Sequence, residues 1–505
     1  MPGKDAGIAE SSVGRRSLRH FLLSALPESC HCRKSKNQAS KKPRRPCRLD
    51  ALAGLPDIVR LEGLQTEERV KLLMESTLIK LGKKVKRFAK SVLLPAPKPV
   101  VSYVRRFERI KTPEKVCAMT FDDGPMDLPC APDRFGGEAL TDVLLDTLAE
   151  FGAKGVFDVV GDTSENYPDV CGPAGSPTWG GTAFDHYPEF GQDSKGGAQN
   201  CPRLIDRILN EGHQITNHGY RHIIFGKKPY VYGKRQFQGK LDDVTSDMEK
   251  LHGLLADRHG YQMEMTRPPH YVDQIDGVFT AYDACALLNY QYLAASFDGQ
   301  GWLPAKTGDQ QLAEVREMTE PVRRALAQDQ AFFCGQIIFQ KDGYNMALRT
   351  PVAFGLREQL ELLTKAGYRI MTVSELIELS PFADTGSEDP DFDQFRELQR
   401  THAVVYSDNT LRPDTPMTKG ELAMLLAPRS AAVEGRIEKL RAGDKSFLHR
   451  YSGALNWCAE QKLFSPGTAP EAPLERADLL KAADFFRGDI EGSLTRRAVL
   501  RSFRL

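Results

Sequence analysis

The sequence predicts an α/β fold, a barrel-like arrangement of mainly parallel strands, followed by a smaller and mostly helical region. Three observations predict it. From about residue 111 to 381, short apolar runs alternate with amphipathic stretches at helical spacing, the pattern of a parallel sheet with helical crossovers. After about 395 a helical segment recurs, which is a repeat signal. Before about 66 the chain is basic and lacks periodicity, the texture of a disordered arm. At 505 residues with 41% hydrophobic content the chain is long enough for two or three domains.

The N-terminal fifty residues hold 12 Lys/Arg against 4 acids. Arg15 and Arg16 precede a six-residue apolar patch; twin arginines hint at export, but the patch is shorter than the roughly 7–15 apolar residues of a signal peptide. Residues 66–94 place Val70, Leu73, Leu81, Val85 and Phe88 on or near one helical face, with lysines opposite. Such a helix either packs on the next domain or lies on an anionic membrane. No apolar run reaches the roughly 18 residues needed to cross a bilayer. The net charge of +1 gives no global attraction to nucleic acid.

Within the α/β region, V-C-A-M-T-F (116–121) reads as a strand leading to the helix 140–151. G-V-F-D-V-V (155–160) is the next strand, joined by a long Gly-rich loop to the helix 204–212. Q-I-T-N-H, Y-L-A-A-S-F and Q-I-I-F follow as strands, and the region closes with the helix 356–368, R-I-M-T-V and S-E-L-I-E-L. The segment 382–394 reads as a linker and 491–505 as a tail. Ten cysteines are present. Cys30 and Cys32 are too isolated for a zinc site. Cys130, Cys171 and Cys201 suit disulfides outside the cell or free thiols inside it equally well.

T-F-D-D-G-P (120–125) puts Asp122 and Asp123 at a strand end, where active sites of such barrels lie. His218 and His222 are four apart, a spacing that on a helical turn puts both imidazoles on one face. Two histidines and one carboxylate make a catalytic zinc set with an open position.

T-F-D-D-G-P, G-H-Q-I-T-N-H-G-Y-R-H (212–222), R-P-P-H-Y (267–271) and A-G-Y-R-I-M-T-V-S-E-L (366–376) together resemble the polysaccharide deacetylases, the NodB-homology or carbohydrate esterase family 4. The resemblance covers about 111–380. It implies a distorted (β/α) barrel of the NodB-homology type and metal-dependent removal of acetyl groups from N- or O-acetylated sugars. It further implies Asp122 as general base, Asp123, His218 and His222 as ligands of one divalent ion, most readily zinc, and Arg267 as the residue orienting the base. Substrate contacts are implied for Pro269, His270, Tyr271, Asp298, Trp302 and Phe339. The division of labour is chemically sensible. One acid must stay on the ion while a second takes the proton, and a backbone N–H near His270 is a candidate oxyanion donor.

Three motifs depart from the family. F-D-G-Q-G-W (297–302) has Gly301 where the family has an aspartate. I-I-F-Q-K-D (337–342) has Lys341 in place of the general-acid histidine and Phe339 in place of a leucine. His270 stands where an aromatic is usual. Lys341 is thereby a candidate acid. Residues 395–490 carry the repeat: P-M-T-K-G-E-L-A-M-L-L begins at Pro416 and P-L-E-R-A-D-L-L-K-A-A at Pro473, 57 residues later. These resemble S-layer homology modules, which implies attachment to bacterial cell-wall polymer, with Lys419 and Arg476 as anion contacts. The alternative is a helical appendage packed on the barrel. The expected setting is the cell surface or wall if the chain is exported, and the cytoplasm if it is not. The expected function is a metal-dependent polysaccharide deacetylase. Its rival is a catalytically impaired protein that binds wall glycan.

Overall fold

The computed structural model describes residues 99–504 apart from 131–134, 163–194, 227–236, 303–307, 344–350, 489 and 491. The basic arm, the amphipathic helix 66–94, Cys30, Cys32, Cys171 and the loop insertion at 171–182 lie outside the described residues.

The strands are β1 (Arg106–Phe107), β2 (Val116–Asp122), β3 (Val156–Val159), β4 (Gln214–Asn217), β5 (Ile224–Phe225), β6 (Phe237–Gln238), β7 (Met265–Thr266), β8 (Gln291–Leu293), β9 (Phe297–Asp298), β10 (Ile337–Lys341) and β11 (Arg369–Ile370). All but β5 and β6, which pair with each other, join one parallel sheet. Its order is β1-β8-β7-β4-β3-β2-β10-β9, with β11 beside the start of β2. The expected strand Y-L-A-A-S-F is two strands far apart in this path, β8 between β1 and β7 and β9 at the far edge. The sheet curls into an incomplete barrel, the expected fold class.

β2 is buried along its whole length, as a parallel strand covered on both faces must be. The helices around it are α1 (Leu140–Glu150), α2 (Pro202–Asn210), α3 (Leu241–His259), α4 (Ala281–Leu288), α5 (Gly308–Gln328), α6 (Pro351–Lys365) and α7 (Val373–Leu379). Local chemistry sets their ends. Thr280 with Asp283 and Thr372 with Glu375 form capping boxes for α4 and α7, and α3 stops at Gly260 in the left-handed conformation. Val116, Val156, Met265 and Ile337, at the N-terminal ends of their strands, pack with Val373, Leu376 and Ile377. Helix α7 thus covers the strand starts with apolar contacts, and the paired acids Asp122 and Asp123 lie at the opposite, C-terminal end of β2.

Six further helices follow: α8 (Phe392–Thr401), α9 (Lys419–Leu426), α10 (Arg429–Arg441), α11 (Ser452–Glu460), α12 (Arg476–Lys481) and α13 (Arg496–Ser502). The stretch read as a linker is folded turns, with Phe382 buried and Asp389 and Asp391 paired with Arg497 at 2.8 and 2.9 Å. The stretch read as a tail contains α13, whose Val499 and Leu500 are fully buried. Both repeat copies open a capped helix, α9 with Thr418 and Glu421 and α12 with Glu475 and Asp478. Thr495 caps α13 singly, its hydroxyl accepting from the Ala498 N–H. The three lead-in segments touch, Thr418 bridging Pro473 and Pro416 bridging Thr495. The segment S-L-T-R-R-A-V-L (493–500) opens α13 from Thr495 as Thr418 opens α9, with Ser493 at the place of Pro416. Lys419 and Arg476 are engaged internally. Lys419 pairs with Asp478 at 3.1 Å, and Arg476 donates to the Ile490 and Gly492 carbonyls at 2.9 and 2.6 Å.

The helical region packs on the barrel. Val433, Ile437 and Leu440 of α10 join the barrel's core, and Arg436 pairs with Asp283 at 2.7 Å. In return Val101 lies in the helical region's core, its N–H donating to Tyr451 Oη at 2.6 Å.

Candidate active site

Strand alternation would send Asp122 and Asp123 to opposite faces. Asp123 instead adopts φ 75°, and this left-handed residue turns its carboxylate back to the same side. Asp123 Oδ1 lies 3.1 Å from His218 Nε2 and 3.2 Å from His222 Nε2, and Asp122 Oδ2 lies 3.7 Å from His218 Nε2.

The two histidines do not sit on a helix. His218 follows the last residue of β4, and Gly219 and His222 take φ 84° and 53°. The four-residue spacing brings the rings together, 5.0 Å between centroids, through a left-handed loop. Asp247 of α3 braces that loop, accepting from the Tyr220 N–H at 2.8 Å and Arg221 Nε at 2.7 Å. His218 Nδ1 lies 2.7 Å from the Arg267 carbonyl, an acceptor, so Nδ1 carries the proton and Nε2 faces the site, the usual arrangement for a ligating imidazole.

Arg267, just beyond β7 and fully buried, directs Nη1 at Asp122 Oδ1, at Asp158 Oδ2 (2.6 Å) and at Thr120 Oγ1 (2.8 Å). Asp158 was not singled out by the sequence reading. Its signal was a carboxylate inside the apolar run G-V-F-D-V-V, where an unpaired charge would be costly. Burial and the Asp122 charge push Asp158 up to about 7 against the pull of Arg267. Burial opposes ionisation of Asp123 too, but Lys341, His222 and His218 hold it well below the usual carboxylate range. Burial likewise opposes the charge on His218, while Asp122 and Asp123 raise it to about 9.

Asp123, His218 and His222 are all buried, and their donor atoms lie within 4.8 Å of one another. One carboxylate oxygen and two imidazole nitrogens suit a divalent ion. Lys341, at the end of β10, lies with Nζ 2.6 Å from Asp123 Oδ2.

The other expected contacts divide into two groups. Pro269, His270 and Tyr271 form a short 3-10 turn, with the His270 ring 5.3 Å from that of His222. Tyr271 and Phe339 meet edge to face at 6.5 Å, and the Arg267 guanidinium lies 5.5 and 5.9 Å from their rings. The Tyr271 N–H, next to His270, is used by the Pro268 carbonyl at 2.9 Å. Asp298 and Trp302 are exposed and bond to each other, Trp302 Nε1 donating to Asp298 Oδ1 at 3.1 Å. Gly301 is backed by Gln340: a Cβ there would lie 2.2 Å from Gln340 Oε1. Gln340 is fixed in turn by the buried Gln359, which donates to the Gly299 and Met318 carbonyls. Asp342 is also buried, held by Thr141 Oγ1 at 2.8 Å. Cys130 and Cys201 are buried free thiols.

Residues 109–272 match the family model described as "Polysaccharide deacetylase". Over these residues the chain is similar to the polysaccharide deacetylases. The match takes in Asp122, Asp123, His218, His222 and Arg267. The chain is 26% identical over 268 residues to a peptidoglycan-N-acetylglucosamine deacetylase of Bacillus cereus, covering 52% of this chain and 89% of that one. It is 22% identical over 174 residues to the peptidoglycan-N-acetylmuramic acid deacetylase PdaC of Bacillus subtilis, covering 34% and 25%. Among solved structures, peptidoglycan deacetylase PdaC from Bacillus subtilis aligns with TM-score 0.33 and 18% identity over 57% of this chain and 96% of that one. Asp122, Asp123, His218, His222 and Arg267 lie within the matched stretch, and Gly301 and Lys341 lie beyond it.

Proposed function

We propose that the chain is a metal-dependent hydrolase that removes acetyl groups from an N-acetylated cell-wall polysaccharide, with zinc as its ion. One observation carries this reading: a second carboxylate, Asp122, stands beside the Asp123–His218–His222 set and is held by Arg267. A binding protein has no use for a second, arginine-held acid at that place. The names of the similar proteins support peptidoglycan as the polymer.

When bound, a divalent ion supplies Lewis acidity toward the acetyl carbonyl and makes water a better acid. Asp122 takes the proton of the attacking water, and Arg267 keeps that carboxylate aimed at it. Lys341 is the cation placed to give a proton to the departing amine. Tyr271 and Phe339 offer apolar surface for the acetyl methyl, and Trp302, oriented by Asp298, offers a stacking face for a sugar ring. The test is acetate release from peptidoglycan and chito-oligomers with zinc and with chelator. Asp122→Asn should lose activity yet keep one ion per chain, while His218→Ala should lose the ion. Release that is indifferent to chelator, or an Asp122→Asn variant as active as the parent, would refute the reading.

A second reading, a glycan-binding protein with an impaired site, is favoured by Gly301, which brings no carboxylate, and by Lys341 in the acid's place. It predicts stoichiometric metal and glycan retention with no acetate from N- or O-acetylated substrates. Attachment to wall polymer through the S-layer-like repeats belongs to both readings. It is tested by sedimenting the chain with wall preparations, as is a surface location. No helix among the described residues is long and apolar enough to cross a membrane.

A further inference from the structure

At the opposite end of the barrel, where β1, β7 and β8 begin, a cavity of about 400 Å³ lies between the barrel and the helical region. The barrel contributes Arg105, Gln291 and Glu378, and the helical region contributes Arg400, His402 and Arg429. Its volume is that of an ordinary small-ligand site, about 300–1,000 Å³.

Arg105 is the unusual member. It is 6% exposed, yet Nη1 is buried with no hydrogen-bond partner among the described residues. Its guanidinium lies 4.7 Å from the Phe107 ring, which supports the flat group without using its in-plane donors. Burial lowers its pKa to about 10, with the Glu378 charge opposing. Glu378 is shared with Arg400 at 3.5 Å. The backbone at Arg105 is fixed, because its N–H donates to Gln291 Oε1 at 2.8 Å, and Gln291 Nε2 donates to the Tyr103 carbonyl at 3.1 Å. A buried guanidinium with an unused donor is costly unless something pairs with it, and three arginines face two glutamates, Glu264 and Glu378, around this space.

We propose that this cavity binds a sugar-sized molecule carrying a carboxylate or phosphate, with Arg105 as the anchor for the acid. The planar guanidinium fork matches either oxyanion. Ser102, Gln399 and Thr401 in the lining supply groups for hydroxyls. The site is separate from Asp122 and stands whether or not the chain deacetylates. Because both modules line it, occupancy would fasten the helical region to the barrel.

Titration calorimetry and thermal unfolding of the full chain test this with glucose 6-phosphate, glucuronate and glucose, each against sodium chloride at matched ionic strength. One of the two acids should bind at one equivalent and raise the unfolding midpoint to a plateau, and which acid does so decides between phosphate and carboxylate. Glucose should not. Arg105→Met should weaken that binding roughly 100-fold or more while leaving the ligand-free midpoint unchanged or higher. Arg105→Lys, which keeps the charge and loses the fork, should weaken it less, and Asp122→Asn should leave it intact. No saturable binding of either acid, or full affinity in both Arg105 variants, would overturn the proposal.

Discussion

Lys341 Nζ sits 2.6 Å from Asp123 Oδ2, on the far side of the carboxylate whose other oxygen faces His218 and His222. The parallel register of β10 with β2 sets this, placing Lys341 opposite Asp122. If Asp123 holds the proposed ion, this ammonium repels that ion while keeping the carboxylate ionised. Lys341→Met should therefore tighten zinc binding by about tenfold, ~1.4 kcal/mol, read by chelator competition. As the candidate acid its loss should also lower amide turnover by roughly 10², with less effect on an O-acetyl ester. A variant unchanged in both would make Lys341 a bystander.

Gly301 cannot simply be returned to aspartate. The Cβ would meet Gln340 Oε1 at 2.2 Å and Val352 at 3.2 Å. Gly301→Asp should cost about 1–3 kcal/mol of stability, as overpacking does, and should not raise acetate release. A variant as stable as the parent in thermal unfolding would show that the Gln340–Gln359 pair yields.

His213 supplies a pH signature away from the Asp123–His218–His222 cluster. Its Nδ1 accepts the Gly155 N–H at 2.8 Å, so the folded protein needs the neutral ring. Burial, helped by Lys154 and Arg207, lowers its pKa from 6.5 to about 4. The unfolded chain then binds the extra proton between those values. The stability from His213 is complete above about pH 6.5 and is lost as pH falls toward 4, a total of roughly 3 kcal/mol. His213→Gln, whose amide oxygen can still accept from Gly155, should flatten the urea midpoint between pH 7 and 5 relative to the parent. Parallel profiles would remove His213 from the account.

Arg496 makes the last helix part of the core. It is 1% exposed, donates to the Leu411 carbonyl at 2.8 Å, and its Nη1 lies 3.4 Å from Glu421. Arg496→Ala leaves Glu421 buried and should cost about 3–5 kcal/mol. A chain ending at residue 490 should lose the protease resistance of the helical region. Unchanged proteolysis of the shortened chain would show α13 to be dispensable.

The core of the site was legible because its residues announce themselves locally. An apolar strand ending in D-D-G-P places two acids where the barrel opens, and two histidines four apart suit one ion whatever backbone joins them. The expected helical turn was wrong, because Gly219 and His222 reach the same spacing in the left-handed region. The linker and tail readings rested on composition alone. Composition does not show that Asp389 and Asp391 find Arg497, or that Val499 and Leu500 reach a core.

The sequence by itself determined the alternating α/β pattern, the position of the acids at a strand end, and the absence of an aspartate at 301 and of a histidine at 341. These follow from periodicity and residue type, which are properties of a few neighbouring positions. Only the tertiary structure decided that Asp158 shares Arg267 with Asp122, that Lys341 faces Asp123, that Gln340 fills the space at Gly301, and that Arg105 is buried at the other end of the barrel. Each depends on residues from 39 to over 200 positions apart meeting in a low-dielectric interior, where a charge must find a partner and a void must be filled.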